Sequence, residues 1–233
     1  SSVALERALN ELIADIAAVM LFGPCFLFAL WQIPLLSDLG DCEPSAASQY
    51  YPPWRDRLRI IIDSADLGLL RDAALILRDY GGSFIDTEQA LDQYIANVKE
   101  FTEKPVDRSG WKLHLKVVYD VIMRHLEELG EWVRGRIGNM RYRGDPLSLA
   151  RLCRDLENRI PPSLITEEGA EQETDFRDIL NAGWLYHIVQ FRPSMTNDTV
   201  FTYTILNKLI LKAIESSYLL KHYRGNKNEH VNT

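Results

Sequence analysis

From Ile16 to Leu36 the only strongly polar side chain is Gln32, and two carboxylates, Glu11 and Asp15, lead directly into this apolar run. A stretch so depleted in polar groups has to be removed from water, and the rest of the chain has to fold around it. At about 20 residues it is also long enough for a bilayer. Gly23-Pro24 divides it, however, and Pro34 closes it. Proline in a helix interior loses a backbone bond and clashes with the preceding turn. The charges ahead of the run are Arg7 against Glu6, Glu11 and Asp15, which is not the pattern of a secretory leader. The expectation is two short buried helices, from about Val3 to Phe22 and from Pro24 to about Leu36, with a membrane not expected as a partner. Glu11 and Asp15, four residues apart, fall on one helix face. They are costly to bury unless a cation, a metal or a histidine pairs with them. Otherwise they belong on the solvated side of an amphipathic helix.

The remaining sequence is read as helices throughout. Ser37 to Pro53 is a long loop by composition, ending in Tyr50-Tyr51-Pro52-Pro53. Helices are predicted over 54–64 and 67–80, the second stopped by Gly81-Gly82, and from Asp86 to about Glu100. The longest helix is predicted from Trp111 to about Met140, where apolar residues from Leu115 to Ile137 recur at three- and four-residue steps. Asp145-Pro146 opens another, closed by Pro161-Pro162. The span from Ile165 to Thr174 is read as an acidic loop, and 175–190 and 200–223 as the last two helices. No strand pair or repeat is evident. The fold class is therefore all-α, a bundle of roughly eight to nine helices, organised as 1–64, 65–225 and a flexible tail, 226–233.

A net charge of −7 argues against nucleic acid as a partner, since phosphate neutralisation needs a basic face. Cys25, Cys42 and Cys153 show no metal-type spacing, which fits reduced thiols in a cytoplasmic compartment. No His-x-x-x-His or His-Glu-x-x-His is present, and His114 and His125 are separated by about 16 Å of helix, too far to share an ion. No Gly-x-Ser-x-Gly elbow or phosphate loop occurs, and Cys25 sits in apolar surroundings that leave a thiol inert. Arg134, Arg136, Arg141 and Arg143 form a local basic patch, read as a solvated helix end or an acidic partner's surface. Trp184, Tyr186 and His187 are read as helical core.

Two segments carry a more specific pattern. Glu11-Leu12-Ile13-Ala14-Asp15 reads Glu-x-x-Ala-Asp, and after the apolar run and the loop comes Tyr51-Pro52-Pro53-Trp54-Arg55-Asp56-Arg57. Together, and at this separation, they resemble the downstream half of zinc metalloproteases of the HtpX and CaaX-prenyl-protease type. Segments 179–184 and 211–215 also resemble parts of uncharacterised bacterial proteins carrying such a motif. The resemblance implies Glu11 as the third zinc ligand and Asp15 as the carboxylate that orients a ligating histidine. It places Tyr51 where the family has histidine, as a hydroxyl donor to a developing oxyanion. Arg57 falls near the family arginine, where it can also pair with Asp15.

The two histidine ligands and the glutamate base of the family, on a His-Glu-x-x-His helix, are absent from these residues. One carboxylate does not hold a catalytic zinc. The expected reading is the C-terminal helical part of a longer, gluzincin-like metallopeptidase. Zinc would be bound in the full-length protein and not by this chain alone. The implied partners are the upstream segment with that helix and a peptide or protein substrate. The alternative is a non-enzymatic helical interaction module, using the Trp-bearing long helix and the acidic loop.

Overall fold

The computed structural model describes residues 2–37, 52–109, 111–167, 170–190 and 197–230. Among them are ten α-helices: α1 (Ser2–Phe22), α2 (Pro24–Ser37), α3 (Trp54–Ile62), α4 (Leu67–Tyr80), α5 (Thr87–Glu103), α6 (Leu113–Arg124), α7 (Leu126–Ile137), α8 (Pro146–Glu157), α9 (Phe176–Gln190) and α10 (Asn197–His230). One antiparallel hairpin joins them, β1 (Leu164–Glu167) with β2 (Ala170–Glu173). The architecture is an all-α, multi-helix bundle. No described helix is long and apolar enough to cross a membrane.

The chain forms two compact units, and it enters and leaves each of them twice. The first takes Ser1–Asp66 and Ile95–Arg143, the second Leu67–Tyr94 and Gly144–Thr233. The units are not consecutive stretches of sequence: residues 95–143 return to the first unit. Residues 226–230, expected in a tail, continue α10.

In the first unit, α1 buries Ala8, Leu12, Ile16 and Val19, the three- and four-residue spacing of one helix face. It packs against α2, α3, α6 and α7. The joint between α1 and α2 requires Gly23, whose φ of 83° is disfavoured for side chains with a Cβ. α2 buries Cys25, Leu27, Phe28, Leu30 and Trp31. Pro34 does not close it: the helix runs to Ser37. Only the last turn lies beyond that proline, so few backbone bonds are at stake.

The single helix predicted from Trp111 to Met140 is two helices, α6 and α7, parted at His125 (φ −110°, ψ 16°). Arg124 lies in the last turn of α6, and Glu127 and Glu128 in the first turn of α7. Those charges suit the dipoles of two separate helix ends, not the middle of one.

In the second unit, α8 packs on α4 and α9, and α9 on α10. Asp145 caps α8 by accepting from the Ser148 amide at 2.7 Å, with Pro146 in the first turn. Gly183 lets α9 approach α10, since a Cβ there would lie 2.5 Å from Cδ1 of Ile210. α8 ends in a Schellman turn: the amides of Arg159 and Ile160 donate to the carbonyls of Leu156 and Asp155. Arg159 therefore takes φ 59°, a conformation that costs a side chain with Cβ free energy. Arg159→Gly is expected to raise stability in urea denaturation by about 0.5–1 kcal/mol; a loss would show that the arginine side chain holds the turn.

The acidic stretch from Ile165 to Thr174 is not a loop. Its strands pair Leu164 with Glu173 and Thr166 with Glu171, and the Thr174 amide donates to the Ser163 carbonyl. Its far end is held by Ser217 of α10, whose hydroxyl donates to the Thr174 carbonyl. With so short a pair carrying so many glutamates, no apolar alternation marks the strands.

Candidate functional site

The site is built where α3 begins in the first unit. Pro53 is extended (φ −53°, ψ 144°), and its carbonyl accepts from the Arg57 amide, starting the helix. The three residues that follow Trp54 are Arg55, Asp56 and Arg57, all buried. At about 100° per residue, consecutive side chains on a helix point three different ways. Each of these charges finds its partner on a different part of the unit.

Arg57 faces α1. Its Nε donates to Oδ2 of Asp15 at 2.7 Å and its Nη2 to Oδ1 at 2.9 Å, a two-pronged fork. The same Nη2 lies 3.4 Å from Oε2 of Glu11. The Trp54 ring covers the guanidinium at 4.4 Å. The Asp15 side chain is only 5 % exposed, whereas that of Glu11 is 35 % exposed. Of the two carboxylates, one is consumed by the arginine and the other stays reachable from solvent.

Arg55 turns toward α5: its Nη1 donates to the Pro105 carbonyl at 2.9 Å and its guanidinium lies over Phe101. Phe101 in turn packs on Trp31 of α2. Asp56 turns toward α6. Its Oδ1 accepts from Arg59 at 2.7 Å and from the Tyr119 hydroxyl at 3.2 Å, while Oδ2 is buried without a hydrogen-bond partner. Burial pushes the Asp56 carboxyl up, opposed by Arg59, the Tyr119 hydrogen bond, and the more distant Arg108 and Arg55. Arg108 lies over the Tyr119 ring and pairs with Asp120. Sequence reasoning missed Asp56 and Tyr119 as partners. The available signal was a run of charges, Arg55 to Arg59, at the head of an otherwise apolar helix.

Thus Glu11, Asp15 and Arg57 are brought together, and Tyr51 lies outside the described residues. A zinc site needs at least three protein ligands. Among the described residues no group of three His, Cys, Asp or Glu side chains is placed to hold a metal ion. Glu11 and Asp15 share a guanidinium, so the donors present do not make a zinc site by themselves.

The other residues singled out by sequence are dispersed. Cys25 and Cys153 are buried thiols; burial pushes Cys25 up to about 12 and Cys153 further still, so neither is a ready nucleophile. Arg134, Arg136, Arg141 and Arg143 are exposed, with Arg136 over the Trp132 ring. His114 and His125 are exposed, the latter 3.0 Å from Glu128. In the second unit, Tyr186 donates to Glu157 at 2.7 Å, and Trp184 meets His187 edge to face. Burial holds His187 down at about 4, so it is neutral at physiological pH. Comparison of the chain with protein-family models, with curated proteins and with solved structures finds no match.

Proposed function

We propose that this chain is the C-terminal helical portion of a gluzincin-like zinc metallopeptidase, to which it contributes Glu11 as the third zinc ligand. One observation supports the reading above others. The two segments that resemble the protease motifs, far apart in sequence, meet through the Asp15–Arg57 fork, and they meet beside a carboxylate left accessible. Asp15 then acts chiefly by fixing Arg57. Arg57 steadies Glu11, and Tyr51 keeps its role as a hydroxyl donor. The two imidazoles and the general base would come from a His-Glu-x-x-His segment upstream, and the substrate would be a peptide or protein.

The test is made on the protein translated from the complete reading frame. Its zinc content is expected to be about one ion per chain, and Glu11→Gln to weaken zinc retention against a chelator by roughly tenfold or more. Zinc retained equally by Glu11→Gln, or no zinc bound, would remove the reading. A second reading, a helical interaction module without catalysis, is favoured by the closure of Asp15 by the chain's own Arg57. It expects Glu11→Gln to be silent.

A further inference from the structure

Trp54 is the first residue of α3 and Arg57 the fourth, so their side chains are neighbours on one helix face. Pro52 and Pro53, both buried, lead into this turn. Proline fixes φ, which leaves the approach to the helix little freedom. The half-buried Trp54 ring is thereby set on the Arg57 guanidinium, with Cζ 4.4 Å from the ring centre.

A guanidinium donates only in its own plane, and its faces are weakly hydrated. Here Nε and Nη2 grip the two oxygens of Asp15, and the same Nη2 lies 3.4 Å from Oε2 of Glu11. A fork on one carboxylate still permits the guanidinium to tilt, because carboxylate oxygens accept over a broad range of directions. Such a tilt turns the second hydrogen of Nη2, the one not spent on Asp15, away from Glu11. An aromatic ring stacked on the guanidinium face opposes it. Asp15 is enclosed and keeps its fork without that help. Glu11, on the solvent side, does not.

We propose that Trp54 is a positioning residue of this site: stacked on Arg57, it keeps Nη2 aimed at Glu11 and so narrows the orientations open to that carboxylate. What the carboxylate then binds rests on the peptidase reading. Trp54 stands at one of the positions between Pro53 and Arg57 that the protease resemblance leaves open, so the role comes from its contact alone.

The test compares Trp54→Leu, which removes the ring, with Trp54→Phe, which keeps one, in the protein from the complete reading frame. Both are expected to keep their helical circular dichroism, since the Asp15–Arg57 fork remains. Exchange of the Arg57 Nη2 protons with water, followed in ¹⁵N-resolved spectra, should quicken by roughly fivefold in Trp54→Leu. In Trp54→Phe it should stay within about twofold of the parent. Zinc retention against a chelator should fall by roughly threefold in Trp54→Leu and be kept in Trp54→Phe. Unchanged exchange in Trp54→Leu overturns the inference. Equal losses in the two variants, or an unfolded Trp54→Leu, overturn it by making the side chain a packing element. Quickened exchange with parent zinc retention also overturns it, provided that Glu11→Gln loses zinc. If Glu11→Gln keeps its zinc, the peptidase reading is what fails, and the Arg57 exchange rates still decide the role of Trp54.

Discussion

Arg57→Met is expected to lower stability by about 3–5 kcal/mol, a large part of what a domain of this size has to lose. The loss comes from what remains: Asp15 would stay buried at 5 % exposure with its counter-charge gone. The Trp54 ring would also lose the cation it covers. The pair itself contributes far less than that figure, because both ions were taken out of water to form it. The double variant Asp15→Leu, Arg57→Met should therefore recover most of the loss. Arg57→Lys should recover only part, since an ammonium cannot donate along both prongs of the carboxylate. Urea denaturation of the four proteins at one pH is the measurement. A single-variant loss below about 1 kcal/mol would mean that Asp15 is hydrated and not enclosed as described.

The second large effect is a loss of stability in mild acid. His187, on α9, is held at about 4 in the folded protein by burial, against about 6.5 when unfolded. Between those values the unfolded chain binds the proton and the folded chain does not, so stability falls as pH falls. It should be fully present above about pH 7, and up to about 3 kcal/mol should be lost on descending to about pH 4. Asp56 works with the opposite slope: burial raises its folded value, so its contribution declines as pH rises above the ordinary carboxylate range. The difference between the parent and His187→Gln is thus the proper readout. It should change steadily below about pH 6.5, in the direction that favours the variant, and become constant above it. A difference independent of pH would show that His187 is hydrated or charged in the fold.

What could be read from sequence followed local chemistry. Gly23-Pro24, Gly81-Gly82 and Asp145-Pro146 each bound helices where backbone rules require it. The break at His125 was hidden because Ile122, Leu126, Leu129 and Val133 keep their helical spacing straight across it. A pattern that stays in phase carries no record of a two-helix joint. The hairpin escaped because glutamates occupy its strands. In the candidate site, the four-residue spacing of Glu11 and Asp15 showed only that they share a helix face; the pairing of Asp15 with Arg57, 42 residues away, was suggested by the family resemblance. Nothing in the order of residues told that 95–143 come back to the first unit. Without that return, Arg55 has no Pro105 to bind and Asp56 no Tyr119.

The same turn fixes an order of events during synthesis. Tyr119 leaves the ribosome 63 residues after Asp56. At about 5–20 residues per second, that is a delay of roughly 3–13 s. Over that interval Arg57 can already reach Asp15, made earlier, and Asp56 can reach Arg59, while Tyr119 and, for most of the interval, Pro105 are still to come. The nascent chain can therefore tie α3 to α1 before it can tie α3 to the returning segment, which is translated only after α4 and all of the second unit's share of α5.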